Sequence, residues 1–198
     1  MKDSFVFLAD GFEEIEAISV IDILRRAGMD VKTVSITASL LVKGAHGVGI
    51  TADCLYDSTI FGDAEWLILP GGMPGATNLH DFAPLQGLLR SQAESKSGRI
   101  AAICASPGEI LGRFGLLKGH RFTCYPGFEG KVEGAEYVPH KVVVSGKFVT
   151  ANGPASAPLW ALSIVKESLG EQKANEVASG MLIHAKQLNA SDFNFNFG

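Results

Sequence analysis

The sequence predicts an α/β fold in which a mostly parallel sheet is doubly wound, with helices on both faces. Short apolar runs of strand length alternate with helical segments along most of the 198 residues. The apolar runs are nearly continuous and lack polar alternation, as expected for parallel strands that are buried on both faces. No repeat, linker or low-complexity block interrupts the chain, so a single domain is expected.

The first unit has the pattern of a strand, a tight turn and a helix. An apolar run at 4–10 is followed by a segment at 13–28 with apolar side chains at helical spacing. Those apolar positions are Ile15, Ile18, Val20, Ile21 and Leu24. A second strand is predicted at 30–36, and residues 39–53 alternate around two glycines, which favours a hairpin or a pair of edge strands.

The later segments continue this alternation. Strands are predicted at 64–72 and 99–104, helices at 82–98, 107–117, 154–169 and 171–188, and a hairpin that turns at Ser145-Gly146. The domain is therefore expected to span residues 4–184, followed by a tail at 185–198 whose last ten residues, 189–198, alternate between polar and aromatic.

Composition excludes several classes of function. The formal net charge is −4, and Arg25-Arg26 is the longest run of basic residues, so neither nucleic acid nor an anionic membrane surface is an expected partner. The apolar run near the N-terminus is too short for a secretory or membrane-spanning segment. The cysteines Cys54, Cys104 and Cys124 are odd in number and form no CxxC pair. A reducing, cytoplasmic location is therefore expected.

Three segments with chemically useful residues are predicted to meet at one edge of the sheet. Cys104, the pair Gly71-Gly72 and the turn at 10–16 each follow a predicted strand. Ligands of open α/β sheets bind outside the carboxyl ends of the strands. The sequence therefore predicts a site where these three segments converge.

Cys104 passes directly from a buried strand into a predicted helix. The free N–H groups and the positive dipole end of such a helix favour a thiolate, which is the nucleophilic form of cysteine. Free cysteine is also among the most buried residue types and often only packs. The local sequence leaves both interpretations open.

Two further features would complete a reactive site. The N–H groups of Gly71 and Gly72 could stabilise an anion, although a glycine pair also forms ordinary turns. Glu16 lies four residues before Val20 and is expected to face inward, where burial should raise its pKa and make it a proton donor or acceptor. Glu13 and Glu14 are interpreted as first-turn acids that stabilise their own helix, with Glu13 exposed to water.

The histidines and the known cofactor motifs add little. None of His46, His80, His120, His140 and His184 forms a pair at metal-binding spacing. There is no dinucleotide fingerprint, P-loop or H-E-x-x-H motif, so neither a metal nor a cofactor is expected. His46 lies between glycines of the predicted hairpin, from where it could reach a site or an interface.

Five motifs, in their order and spacing, resemble the ThiJ/PfpI superfamily. They are GFEEIEA, DILRRAG, LPGGMPGATNL, AAICASP and NGPAS, and the resemblance covers residues 4 to about 184. Within this superfamily the chain is most similar to the branch of YajL and the parkinsonism-associated protein deglycase. The resemblance implies a flavodoxin-like fold and a homodimer.

The resemblance also implies roles for single residues. Cys104 would be the nucleophile and an easily oxidised thiolate, and Glu16 its protonated partner. Gly71, Gly72 and the N–H of Ala105 would form the oxyanion pocket. Arg26 would approach the site of the partner in the homodimer, and Pro154 would belong to a loop that closes over the cysteine.

Three positions depart from family patterns. Tyr125 precedes Pro126 where the deglycase has a histidine, so Glu16 would have to carry proton transfer without a Cys-His dyad. His46 stands where some relatives have an arginine. Ala105 replaces the histidine that follows the nucleophile in the intracellular-protease branch, which weakens a protease interpretation. A glutamine amidotransferase would need an H-x-E pair, which does not occur in this sequence.

The leading hypothesis is a cofactor-independent cysteine enzyme that acts on small α-oxoaldehydes, or on the glycation adducts they form with proteins, in the manner of a glyoxalase III or deglycase. The alternative is a redox sensor or stress-linked chaperone that works through oxidation of Cys104. A thiamine-biosynthesis accessory and an intracellular cysteine protease are weaker interpretations. The expected partners are a small aldehyde or a glycated protein and a second copy of the chain.

Overall fold

A seven-stranded sheet forms the centre of the molecule. The structure is a computed structural model that describes residues 2–183, so the predicted domain end at 184 and the tail at 185–198 lie outside the described residues. The strands of this sheet are β1 (Ser4–Leu8), β2 (Val31–Ser35), β5 (Cys54–Leu55), β6 (Trp66–Leu69), β7 (Arg99–Ile103), β10 (Val142–Ser145) and β11 (Phe148–Ala151).

The strand order is β10-β11-β7-β6-β1-β2-β5, and every neighbouring pair is parallel except β10 with β11. Two small sheets lie outside it: the antiparallel pair β3 (Leu41–Lys43) and β4 (Gly49–Thr51), and the parallel pair β8 (Arg121–Phe122) and β9 (Glu136–Tyr137). The predicted α/β fold with a mainly parallel sheet is confirmed.

Helices cover both faces of the central sheet. They are α1 (Glu14–Arg26), α2 (Gly75–Asp81), α3 (Ala83–Glu94), α4 (Ala157–Leu169) and α5 (Glu171–Gly180). Apolar residues of α1, α4 and α5 pack with Val6 and Leu8 on one face, whereas α2, α3 and the segment Pro107–Gly112 pack with Phe5 and Phe7 on the other. This division follows from the alternation of side chains along β1.

The core face of α1 differs from the predicted one. Val20 and Leu24 are buried as expected, but Ile15 and Ile18 are 57% and 46% exposed. Ala17 and Ile23 complete the buried face with Val20 and Leu24. Helical spacing alone could not separate these faces because apolar residues occur on both.

Two predicted boundaries also change. The helix predicted at 107–117 is regular only over Pro107–Gly112. The residues after it form turns, in which the N–H of Leu116 donates to the carbonyl of Leu111 at 2.9 Å. The β10–β11 turn consists of Gly146 and Lys147, one residue later than predicted, because Ser145 still pairs with Phe148. Gly146 accommodates the turn with a φ of +60°.

The very short elements were not predicted. Strands of two residues, such as β5 and β8, carry too few side chains to show a period. Among residues 2–183, none of the helices is both apolar and long enough to cross a bilayer.

Candidate active site

The carboxyl ends of three adjacent strands bring the predicted site together. In the order β7-β6-β1, Cys104 follows β7, Gly71 and Gly72 follow β6, and the turn that leads to Glu16 follows β1. The convergence expected from the sequence is therefore present in the fold.

Cys104 occupies a strained turn between β7 and the next helical segment. Its φ is +63°, in the left-handed region that non-glycine residues rarely adopt, at a cost of roughly 1–3 kcal/mol. Hydrogen bonds on both sides hold this conformation, because its N–H donates to the carbonyl of Ala151 at 2.9 Å and its carbonyl accepts from the N–H of Tyr125 at 2.8 Å. Only 9% of the surface of Cys104 is exposed. The site therefore presents a fixed sulfur with narrow access.

The loop after β6 packs against this turn without space for side chains. A Cβ atom at Gly71 would lie 2.6 Å from the Cβ of Cys104 and 2.7 Å from Oε2 of Glu16. Gly72 has a φ of +90°, and a Cβ there would lie 2.4 Å from the backbone nitrogen of Glu13. The Oγ of Ser106 donates to the carbonyl of Pro70 at 2.6 Å and fixes the loop to the turn. Ser106 is a residue of the site that was not predicted from the sequence.

Glu16 is completely buried beside the cysteine. Its Oε2 accepts a hydrogen bond from the N–H of Gly71 at 2.7 Å, while no described group donates a hydrogen bond to its buried Oε1. Burial raises the pKa of Glu16 to about 8, and the charge of Glu13 acts in the same direction. The carboxyl therefore keeps its proton at neutral pH, and Oε1 is the oxygen that is free to carry it.

The cysteine and the glutamic acid titrate as a coupled pair. Burial first, and then the neighbouring Glu16, raise the pKa of Cys104 to about 12, whereas hydrogen bonds from the N–H groups of Gly72 and Ala105 lower it. A protonated Glu16 places no charge beside the sulfur, so the thiolate expected at Cys104 stays a prediction. Two negative charges cannot be held so close together in a buried site, so the pair carries at most one.

The N–H donors are distributed differently from the prediction. The N–H of Gly71 is occupied by Glu16 and does not face the sulfur, whereas the N–H groups of Gly72 and Ala105 do. An anion that forms on the sulfur or next to it would meet two backbone donors. Gly71 instead holds the acid in place.

Glu13 is buried, contrary to the expectation that it would be exposed to water. Only 7% of its surface is accessible because the loop after β6 lies directly against it. It caps α1 as expected, since its Oε2 accepts the N–H of Glu16 at 2.8 Å.

Glu14 stabilises the hairpin of β3 and β4 more directly than its own helix. Its buried carboxylate accepts hydrogen bonds from the backbone N–H of His46 at 2.6 Å and from Nδ1 of His46 at 2.7 Å. Burial opposes the charge of Glu14, but these bonds prevail and lower its pKa, while the same contact raises the pKa of His46. His46 is therefore an anchor of the hairpin to α1.

The remaining predicted residues lie around the site or away from it. The half-exposed Tyr125 packs against Gly153, where an added Cβ would lie 3.4 Å from the ring, so Tyr125 and the loop before Pro154 form one wall near Cys104. Arg26 forms an ion pair with Asp22 at 2.6 Å. It lies ten residues beyond Glu16, or roughly 15 Å along α1, and is not part of the Cys104 site of its own chain.

One group of side chains has the composition of a metal site. The ligand atoms of Glu13, Glu14 and His46 lie within 4.8 Å of one another. Those of Glu13 and Glu14 already accept hydrogen bonds from Glu16 and His46, which accounts for the arrangement.

Comparison with known proteins identifies related chains over nearly the whole length. The profile of the DJ-1/PfpI family matches residues 2–167. Protein dj-1beta of Drosophila melanogaster is 38% identical over 184 residues, which are 92% of this chain and 97% of the relative. The Glutathione-independent glyoxalase DJR-1.2 of Caenorhabditis elegans is 34% identical over 167 residues, which are 83% of this chain and 87% of that protein.

Plant relatives are longer, and solved structures share the fold. Protein DJ-1 homolog B of Arabidopsis thaliana is 37% identical over 184 residues, or 92% of this chain, which spans only 41% of that relative's length. The structure of oxidized Toxoplasma gondii DJ-1 superposes with a TM-score of 0.87 at 36% identity, covering 92% of this chain and 98% of that one.

Proposed function

The chain belongs to the DJ-1/PfpI family, and we propose that it is a cofactor-independent enzyme that converts small α-oxoaldehydes to hydroxy acids through Cys104. The observation that carries this proposal is the buried Glu16 with its raised pKa and unpaired Oε1 beside the strained cysteine. The name of the Caenorhabditis elegans relative, a glutathione-independent glyoxalase, is consistent with this chemistry.

The first step would join the sulfur to the substrate aldehyde. In the singly charged pair the sulfur attacks as a thiolate. As the C–S bond forms, protonated Glu16 gives its proton to the aldehyde oxygen, which leaves a hemithioacetal and the Glu16 carboxylate. The N–H groups of Gly72 and Ala105 stabilise negative charge that develops at the sulfur or the oxygen.

Glu16 would then move a proton between the two substrate carbons. Oε1 takes the proton from the former aldehyde carbon, an enediol forms, and the same oxygen returns the proton to the neighbouring carbon. The product is a thioester, which water hydrolyses to release the hydroxy acid and the thiol. The sum is one oxoaldehyde and one water converted to one hydroxy acid.

Protein glycation adducts are a second substrate class under the same proposal. The hemithioacetals and aminocarbinols that oxoaldehydes form with proteins carry the same two-carbon unit. The 9% exposure of Cys104 favours small substrates over bulky adducts, so we expect free oxoaldehydes to be converted faster.

The test is lactate formation from methylglyoxal by the full-length protein. Wild type should form lactate, Cys104→Ser should form none, and Cys124→Ser should match wild type. Cys124 is the matched control because it is also buried and its pKa is also raised by burial. Equal lactate from wild type and Cys104→Ser would refute the proposal.

Oxidation of Cys104 is a second candidate function. The two N–H donors at the sulfur and a protonated Glu16 could also hold a sulfinate, and the Toxoplasma gondii relative is described as oxidized. After mild peroxide, mass spectrometry should find two added oxygens on Cys104. Modification confined to Cys54 or Cys124 would contradict a sensing role, with or without an associated chaperone activity.

A second copy of the chain is the partner we propose. Ile15 and Ile18 expose large apolar side chains on α1, and Arg26 lies farther along the same helix, away from the Cys104 site of its own chain. Burial of this surface in a homodimer would remove the apolar area from water. Analytical ultracentrifugation should show a dimer that Ile15→Glu with Ile18→Glu converts to a monomer.

The three free cysteines support the proposed cytoplasmic location.

A further inference from the structure

We infer that Glu13 is a positioning residue for the reactive pair: it closes a ring of hydrogen bonds that holds the Glu16 carboxyl and the Gly71 loop in register with Cys104. The inference rests on the proposed function for its catalytic meaning. The hydrogen bonds that support the inference, and the experiment that tests it, do not require the protein to convert a substrate.

The ring consists of three hydrogen bonds among three residues. The N–H of Glu13 donates to the carbonyl of Gly71 at 2.9 Å, and the N–H of Gly71 donates to Oε2 of Glu16 at 2.7 Å. The N–H of Glu16 donates to Oε2 of Glu13 at 2.8 Å and completes the cycle. The start of α1 and the loop after β6 are thereby fixed to each other at the acid.

A helix cap alone does not account for a glutamate at this position. Serine, threonine, aspartate and asparagine are the usual N-cap residues, and each would accept the same hydrogen bond with a shorter side chain. Only 7% of the surface of Glu13 is accessible. The backbone of Gly72 packs against the backbone nitrogen of Glu13. A buried carboxylate here places a second negative charge close to Glu16.

That charge favours the protonated form of Glu16. The pKa of Glu16 is raised by burial and also by the charge of Glu13, and Cys104 is the other titratable group facing it. On its outer side Glu13 faces His46, whose pKa is raised mainly by Glu14 and further by Glu13. Glu13 therefore stands between the reactive pair and the hairpin, and it keeps Glu16 a proton donor while the ring leaves Oε1 free.

The experiment measures how fast iodoacetamide alkylates Cys104 as a function of pH, with the modified peptide quantified by mass spectrometry. Glu13→Gln retains an oxygen that can accept the N–H of Glu16 but removes the charge. Its midpoint should lie on the order of one pH unit below that of wild type, because loss of a nearby like charge favours ionisation of the pair. The melting temperature should change little because the cap remains.

Glu14→Gln is the matched control, since it removes a buried carboxylate from the adjacent residue that faces the hairpin. Its alkylation midpoint should equal that of wild type. An unchanged midpoint in Glu13→Gln, or an equal shift in both variants, would overturn the inference. A shifted midpoint in Glu13→Gln, together with a wild type that forms no lactate from methylglyoxal, would refute only the proposed function.

Discussion

Two buried glutamates, Glu16 beside Cys104 and Glu109 in the helical segment Pro107–Gly112, have opposite properties. Glu109 is 3% exposed, and its carboxylate contacts both Lys131 and Arg113, the latter at 2.7 Å. Burial acts to raise its pKa, but these two cations prevail and lower it. Glu16 is also almost inaccessible to solvent, and no cation among residues 2–183 lies beside it, so its pKa rises.

The difference shows that burial alone does not make a reactive acid. A buried carboxyl becomes a proton carrier when backbone donors orient it and no positive charge compensates it. With two cations, the same side chain becomes a structural anion. Replacement by glutamine should therefore affect activity at Glu16, whereas at Glu109 it should affect only stability.

The largest expected effect is on turnover. Glu16→Gln should lower lactate formation from methylglyoxal by about 10²–10⁴-fold, the usual contribution of a general acid or base. Glu109→Gln should retain activity within a few-fold, because its carboxylate contacts only residues outside the proposed reaction. Comparable losses in the two variants would remove the distinction between the two glutamates.

A smaller effect is expected on the pH dependence of the free energy of unfolding, to which Glu16 contributes. Its folded pKa of about 8 lies above the ordinary value of 4.5, so the folded state binds more protons between these values and the free energy of unfolding falls as pH rises. Glu16→Gln should abolish this fall, which amounts to a few kcal/mol. Urea unfolding at pH 5 and pH 8.5 measures this fall. An equal change in the free energy of unfolding between the two pH values for wild type and Glu16→Gln would contradict it.

The opposite pH dependence is expected from Glu109. Its folded pKa is lowered, so its stabilising contribution is present above the ordinary carboxyl pKa and is lost as pH falls through the lowered value. Glu109→Gln should cost about 1 kcal/mol at neutral pH, a modest value because Lys131 and Arg113 are both more than 40% exposed. The deficit should shrink in acid, and a deficit that grows there would argue against an ionised Glu109.

The smallest effect should follow removal of one cation. Lys131→Met leaves Arg113 on the carboxylate and should destabilise the fold by about 0.5 kcal/mol. Thermal unfolding at neutral pH measures it. Since Lys131 does not contact Cys104 or Glu16, a change in the alkylation rate of Cys104 in this variant would contradict the separation of the two clusters.

The sequence predicted one of these glutamates and not the other for a physical reason. Glu16 could be placed inward from its spacing to Val20 on one helix, and Cys104 from its position at the end of an apolar strand. Of the two cations on Glu109, Arg113 is only four residues away, whereas Lys131 is 22 residues away and only the folded chain brings it to the carboxylate. The burial of Glu13 and the binding of His46 to Glu14 likewise depend on a loop and a hairpin packing against α1.

The exposure of Ile15 and Ile18 illustrates the same limit. Apolar side chains on two faces of α1 are indistinguishable in the sequence, and only the packing of α1 on α4 and the sheet decides which face is buried. The main strands, by contrast, were predictable because burial on both sides requires continuous apolar runs.

The central claim is that Glu16 is protonated at neutral pH while it lies beside Cys104. Difference infrared spectra of wild type against Glu16→Gln, recorded from pH 5 to pH 9, measure this directly through the carbonyl stretch of a protonated carboxyl. The band should be present in wild type at pH 7 and be lost with a midpoint near pH 8. Loss of the band already near pH 5 would show an ionised Glu16 and contradict the account.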